Sequence, residues 1–157
     1  MIIGSTRADQ RVETEEFQHA FWAAKRAMAE ASEAAFAKHG VGAGQRFILR
    51  CLWDEDGLPP GEIARRLDLA TPTVTKATMR MEAAGLVVRR PHDSDRRLVG
   101  IHLTERGRSL QAEIDREVDR FTERALGSIS DADRRHLVEL LRTIRQNLAP
   151  RPRSHPG

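Results

Sequence analysis

Between residues 72 and 80 the chain carries Pro72, Thr73, Thr75, Lys76 and Arg80, short hydroxyl and cationic side chains within a few turns of helix. Hydroxyls and helix N-terminal N–H groups donate to phosphate oxygens, threonine methyls fit a thymine methyl, and Lys or Arg donates to a guanine edge or a phosphate. On that chemistry Thr73 and Thr75 suit phosphates, Lys76 a guanine edge or a phosphate, and Arg80 the nucleic-acid backbone. A second group, Asp95, Arg96 and Arg97, follows in a polar stretch. A carboxylate beside an arginine holds the guanidinium at a fixed angle, and an arginine so held suits a narrow minor groove, where the negative potential is strongest. Arg97 is then the probe, Asp95 its orienter and Arg96 a phosphate contact. Each group also has an ordinary alternative, a solvated helix face for the first and an arginine-rich turn for the second. Position has to decide between them.

The elements that would position these residues are legible in the periodicity. Ile63, Ala64 and Leu67 predict a helix opened by Pro59-Pro60, since proline in a first turn removes an N–H that has no intrahelical partner. A tight turn over 68–70 leads to Thr71 as a capping hydroxyl, Pro72 as the first helical position, and a helix that runs to Gly85. On its wheel Val74, Ala77, Met81 and Ala84 share one side, with Pro72, Thr75, Lys76 and Met79 opposite and Thr73 and Arg80 flanking. Two helices with a short connection form a helix-turn-helix, whose second helix is the one a major groove admits. After Gly85 the pattern turns extended: residues 86–90 and 98–103 are β-rich runs around a charged loop, a hairpin wing.

The flanks are helical as well. Phe17, Phe21, Ala24, Met28, Ala31 and Ala35 recur at spacings of three and four, predicting an amphipathic helix over 14–38 with this stripe in the core. A shorter helix spans about 44–55. Thr104 caps a long helix bearing Leu110, Ile114, Val118 and Phe121, and Ser130 with Asp133 opens a last one bearing Leu137, Leu141, Ile144 and Leu148. Six helices and one hairpin result, a mainly α fold with a small β-hairpin wing. Residues 1–13 read as a disordered leader, 14–40 and 104–148 as helices flanking a winged helix-turn-helix domain at 41–103, and 149–157 as a disordered tail.

Composition bounds the rest. With 157 residues, 39% hydrophobic and 31% charged, the chain suits one globular core and is too apolar for disorder. No segment has the length of a membrane span or the apolar centre of a signal peptide, so a cytoplasmic location away from membranes is expected. Net charge is only +3, yet 23 of the 26 basic residues are Arg, whose planar fork matches phosphates and base edges, although genomic bias produces the same skew. The six histidines show no ligand spacing, so no metal is expected, and no cofactor fingerprint is present. Cys51, the single cysteine, falls on an apolar helix face and reads as a buried, inert thiol. No nucleophile with a base, phosphate-cradling glycine loop or paired carboxylates appears, which argues against an enzyme.

Around residues 58–104, the helix, the GLV strand, the SDRR wing and the HLTERG segment together resemble the MarR family of bacterial transcription regulators, and the flanking helices follow the same order. One departure is Pro59, where a Ser or Thr cap often opens the helix. The resemblance implies a homodimer joined through the first and last two helices, with the helix over 72–80 in the major groove and the wing in the minor groove. It also implies repression relieved by a small aromatic or anionic effector bound between the two layers. The long apolar stripes of the flanking helices need a partner surface in any case, which favours a symmetric dimer on an inverted-repeat operator. Phe17, Phe21 and Trp22 are the candidate effector-pocket residues, Trp22 because it lies off the stripe, and Trp53 is a further aromatic to weigh. The competing reading is a winged-helix module that binds protein rather than DNA.

Overall fold

Helix ends fall where glycine, proline and capping hydroxyls punctuate the chain. The computed structural model describes residues 7–92, 95 and 97–149. In chain order these form α1 (Arg7–Ala37), α2 (Gln45–Asp54), α3 (Pro60–Leu67), α4 (Thr71–Ala83), β1 (Val87–Pro91), β2 (Val99–Leu103), α5 (Glu105–Ser109), α6 (Gln111–Leu126) and α7 (Asp131–Leu148). The chain divides into two compact units, residues 1–121 and 122–157, a division that falls within the 104–148 stretch. The mainly α fold with a hairpin wing is the one the sequence predicts.

In the first unit the core is built from Phe36 at the end of α1, Ile48, Leu49 and Leu52 of α2, Ile63 of α3, Val74 and Met81 of α4, and the wing strands' Val87 and Ile101. Each side chain of this size contributes roughly 1.5–3 kcal/mol when fully buried. The pieces are joined by tight helix stops. At the end of α4, Gly85 takes φ +71°, its N–H donates to the Glu82 carbonyl at 2.9 Å, and the Leu86 N–H donates to the Met81 carbonyl at 2.9 Å. This left-handed stop folds buried Leu86 back onto buried Met81 and turns the chain straight into β1. At the end of α3 the left-handed position is filled by Asp68, φ 56°.

The hairpin pairs β1 and β2 antiparallel, with Val87 opposite Leu103 and Arg89 opposite Ile101. A rudimentary third strand, absent from the sequence reading, borders β2: the Gly57 N–H donates to the Ile101 carbonyl at 3.0 Å, and the Ile101 N–H to the Leu58 carbonyl at 2.9 Å. The Asp56 carboxylate extends this edge, accepting from the Leu103 N–H at 2.7 Å and from Arg108 at 2.8 Å. Two residues before a Pro-Pro pair carry no β periodicity, so only the fold reveals them.

Four expectations are corrected. The disordered leader does not extend to residue 13, because α1 begins at Arg7; residues 7–13 hold no proline or glycine, and a helix continues through such residues without an apolar stripe. The stripe of α1 is not core within the chain: Phe17 is 48% exposed and Met28 51%, and α1 enters the core only at Phe36, with Ala35 packed beside it. The long helix after Thr104 is two helices, giving seven among the described residues. Its interruption lies at Leu110, where the Ser109 hydroxyl and the Leu110 N–H compete for the Arg106 carbonyl, at 3.0 and 3.2 Å. Finally, α4 starts one residue early: Thr71 is its first helical residue, Ala70 precedes it, and no side chain caps it. The tail beyond residue 149 lies outside the described residues.

In the second unit, Ser130 caps α7 as predicted, its hydroxyl oxygen accepting from the Asp133 N–H at 3.2 Å. Arg134 returns across the turn and donates to the carbonyls of Leu126 and Ile129 at 3.1 and 2.9 Å. Leu137, Val138, Leu140 and Leu141 of α7 remain exposed.

Candidate nucleic-acid interface

α4 buries Val74, Thr78 and Met81 and turns the opposite face outward. Pro72, Thr73, Lys76 and Arg80 are all exposed, and Met79 lies among them, 53% exposed. Neither Lys76 nor Arg80 forms an ion pair among the described residues, so both ammonium and guanidinium face solvent on a helix whose neighbours α2 and α3 cover its other side. Thr75 differs. It is half-buried and its hydroxyl donates to the Thr71 carbonyl at 3.0 Å, which commits its proton within the helix and leaves its oxygen lone pairs and methyl for contacts. Thr78, which the sequence reading did not assign, repeats the pattern toward the Thr75 carbonyl at 3.0 Å.

A charged network ties α3, the first helix of the pair, to the end of α2. Glu62 accepts from Arg65 and Arg66, and Arg66 also binds Glu55 at the end of α2. The two guanidiniums, Arg65 first, hold the Glu62 carboxyl at a pKa of about 2. At the far end of α4, Arg106 donates to the Ala84 carbonyl at 2.9 Å, placing a cation at the negative end of the helix. Thr104 closes the same corner: its hydroxyl donates to the Gly85 carbonyl at 2.7 Å and accepts from the Gly107 N–H at 3.0 Å. Gly107 has to be glycine, since a Cβ there would collide with the Leu86 carbonyl.

At the wing, Asp95 and Arg97 form a forked pair. Arg97 Nε lies 3.1 Å from Asp95 Oδ1 and Nη2 lies 3.2 Å from Oδ2, while the Arg97 backbone N–H donates to Oδ1 at 3.0 Å. The Arg97 side chain is nonetheless 89% exposed. The carboxylate therefore holds the guanidinium at a fixed angle without covering it, and the cation in turn keeps the Asp95 carboxyl below the usual carboxylate range. Arg96 lies outside the described residues.

The candidate effector residues lie elsewhere. Phe17 and Phe21 stack at 5.9 Å, Phe21 meets Trp22 edge-on at 5.5 Å, and Lys25 lies 4.5 Å from the Trp22 ring, all along α1. A cleft of about 260 Å³ opens instead between α2 and α6, lined by Arg46, Phe47, Arg50, Trp53, Ile114 and Val118 among others. None of Phe17, Phe21 or Trp22 lines it, whereas Trp53 does, its indole N–H donating to the Gly107 carbonyl at 2.9 Å. The Arg46 guanidinium lies 3.9 Å from the Phe47 ring centroid, and its buried Nε has no acceptor among the described residues. Cys51 is buried and its thiol is pushed up by burial, in keeping with an inert role.

Among the described residues no helix is long and apolar enough to cross a membrane, and no group of three His, Cys, Asp or Glu side chains could hold a metal.

Comparison with known proteins follows the same line. The model of the MarR family matches residues 43–99. The HTH-type transcriptional regulator TtmR of Methylorubrum extorquens is 34% identical over 132 residues, covering 84% of this chain and 67% of the relative. MgrA of Staphylococcus aureus, also an HTH-type transcriptional regulator, is 30% identical over 110 residues, covering 70% of this chain and 74% of MgrA. The structure of reduced AbfR bound to DNA superposes with a TM-score of 0.74 at 24% identity, over 92% of this chain and all of AbfR, a likeness of fold.

Proposed function

Because the chain belongs to the MarR family of transcription regulators, we propose that it represses transcription by binding duplex DNA sequence-specifically, with α4 in the major groove and the wing tip in the minor groove beside it. The observation that carries this reading is the pair of outward cationic probes on one framework: Lys76 and Arg80 exposed on α4, and Arg97 held outward by Asp95 on the hairpin that follows it. The Thr73 hydroxyl and the positive end of the α4 dipole take phosphates, the Thr73 N–H being already committed to the Ala70 carbonyl at 3.0 Å, with Pro72 at the exposed helix end beside them. Lys76 reaches a guanine edge, Arg80 the DNA backbone, Arg97 the minor groove and Arg96 an adjoining phosphate.

The binding unit in this reading is a homodimer. The exposed Phe17 and Met28 of α1 and Leu137 and Leu141 of α7 are apolar side chains that a second copy would cover. Two-fold symmetry then sets a pair of recognition helices ~34–36 Å apart and selects an inverted-repeat operator.

The effector site belongs to the α2–α6 cleft. Its walls are largely apolar and aromatic; of the three charged side chains that line it, Arg50 and Asp115 pair with each other at 3.5 Å, which leaves Arg46, with its unmatched buried Nε, as the cation for a small aromatic anion. Occupancy releases the operator.

Gel retardation on duplex from upstream of the protein's own gene tests the reading. Retention that weakens steeply with salt supports it. A purified dimer that retains no duplex above background leaves the alternative, a winged-helix module whose partner is a protein.

A further inference from the structure

The clamp that joins the wing to the recognition helix stands outside the contacts assigned above. Glu82, in the last turn of α4, accepts from the Arg89 backbone N–H at 3.1 Å through Oε1 and from Arg89 Nε at 2.9 Å through Oε2. The backbone bond matters more than the ion pair, because it fixes the strand itself. In an antiparallel ribbon, alternate residues turn their N–H groups away from the partner strand. Arg89 and Ile101, which face each other, both do so: Ile101 donates outward to Leu58 on one edge, and Arg89 donates outward to Glu82 on the other. The ribbon is therefore pinned at mid-length from both sides.

Among the described residues Glu82 supplies the hydrogen bonds between α4 and β1; without them the strand rests on the turn at Gly85 and on the non-directional packing of Val87 in the core beside Val74 and Met81. A strand rises ~3.3 Å per residue, which puts the end of β1 roughly 20 Å from that turn. A tilt of about 10° there moves the tip by about 3.5 Å, more than half the roughly 6 Å width of a minor groove. We propose that Glu82 is a positioning residue that sets the angle between the wing and α4, so that Arg97 and the α4 face engage one half-site together. This rests on the DNA-binding reading above. It goes beyond it by assigning operator specificity to a carboxylate that touches no DNA.

Electrostatics gives the proposal a distinctive sign. A carboxylate near DNA repels phosphates, so its removal favours binding by charge alone. Positioning predicts the opposite on the operator and only there. The test uses the full-length protein and a duplex it selects from a random pool; if no duplex is selected, it is the DNA-binding reading that fails, before Glu82 is examined. On the selected duplex, Glu82→Ala should bind about tenfold more weakly, within the range for side chains coupled in one network, while binding to an unselected duplex is unchanged or tighter. Glu82→Gln, which keeps an acceptor for the Arg89 N–H, should recover most of the loss. In an Arg97→Ala background, Glu82→Ala should cost almost nothing further, because the probe it aims is gone. The proposal is overturned if Glu82→Ala binds the selected duplex like the unaltered protein, if its loss is undiminished in the Arg97→Ala background, or if selected and unselected duplexes weaken alike. Should Glu82→Ala melt early, the same cycle run with Glu82→Gln and Arg89→Ala, whose melting is checked first, decides between these outcomes.

Discussion

The Arg97 guanidinium lies fork to fork against the Asp95 carboxylate, Nε 3.1 Å from Oδ1 and Nη2 3.2 Å from Oδ2, and still presents most of its surface to solvent. An arginine held in this way has little rotamer freedom left to lose on entering a groove, so the pair makes the probe ready before DNA arrives. Arg97→Ala should weaken operator binding and lower the slope of log affinity against log salt by about one unit. Asp95→Asn should weaken binding less and leave the slope nearly unchanged, because the cation remains. Fluorescence anisotropy across a salt series reads both, and equal slopes for the two variants would remove Arg97 from the phosphate or groove contacts.

Lys76 is exposed in the middle of the α4 face, the face that the proposed function turns toward base edges. With Lys76→Ala, discrimination at one base pair should fall by ~1–3 kcal/mol while other positions hold. The measurement is an affinity profile over singly substituted operators. A uniform drop across that profile would assign the lysine to a phosphate.

Arg46 lines the α2–α6 cleft beside the paired Arg50 and Asp115, and burial lowers the pKa of its guanidinium. Arg46→Ala should leave operator affinity near that of the unaltered protein but abolish release of the operator by aromatic carboxylates. A panel of substituted benzoates titrated into the protein–DNA complex checks this, and release that persists in the variant would place the effector elsewhere.

Thr104 joins the end of α4 to the start of α5 through one hydroxyl, which accepts from the Gly107 N–H and donates to the Gly85 carbonyl. Thr104→Val keeps the shape and loses both bonds. Stability should fall by about 1–2 kcal/mol with an unchanged urea m-value, the cost of a lost cap and an orphaned carbonyl. A loss well under that range would mean that water replaces both partners.

Glu62 has a pKa of about 2 in the folded chain, against ~4.3 for a glutamate in an unfolded one. A folded pKa below the unfolded value contributes stability that is complete above the unfolded pKa and is lost as pH falls toward the folded one. The melting temperature of Glu62→Gln should thus lie below that of the unaltered protein at neutral pH, and the gap should close between about pH 5 and pH 2. The effect is small, because the carboxylate is only partly buried and solvent screens it. A gap that stays constant down to pH 2 would mean that the Arg65 and Arg66 bonds do not stabilise the fold.

The sequence by itself determined the order of the helix-turn-helix and its wing, the stop at Gly85, the cap at Ser130, and the two groups of candidate residues, but not the start of α1 at Arg7 or the break at Leu110. These follow from local chemistry: Gly85 supplies the left-handed stop, Ser130 and Thr104 the caps, and the change of period after residue 85 the wing. Asp95 with Arg97 was legible because the partners are two residues apart. The tertiary structure decided what no local pattern encodes. The aromatic stripe of α1 has the period of a core face, yet among the described residues Phe17 and Met28 stay about half exposed, because periodicity records that a face is apolar and not what buries it. Trp53 lines the cleft through its meeting with α6, from the far side of the wing in sequence. The bonds of Asp56 to Leu103 and of Glu82 to Arg89 depend on how a strand returns past a helix, so the aim of the wing was settled by packing.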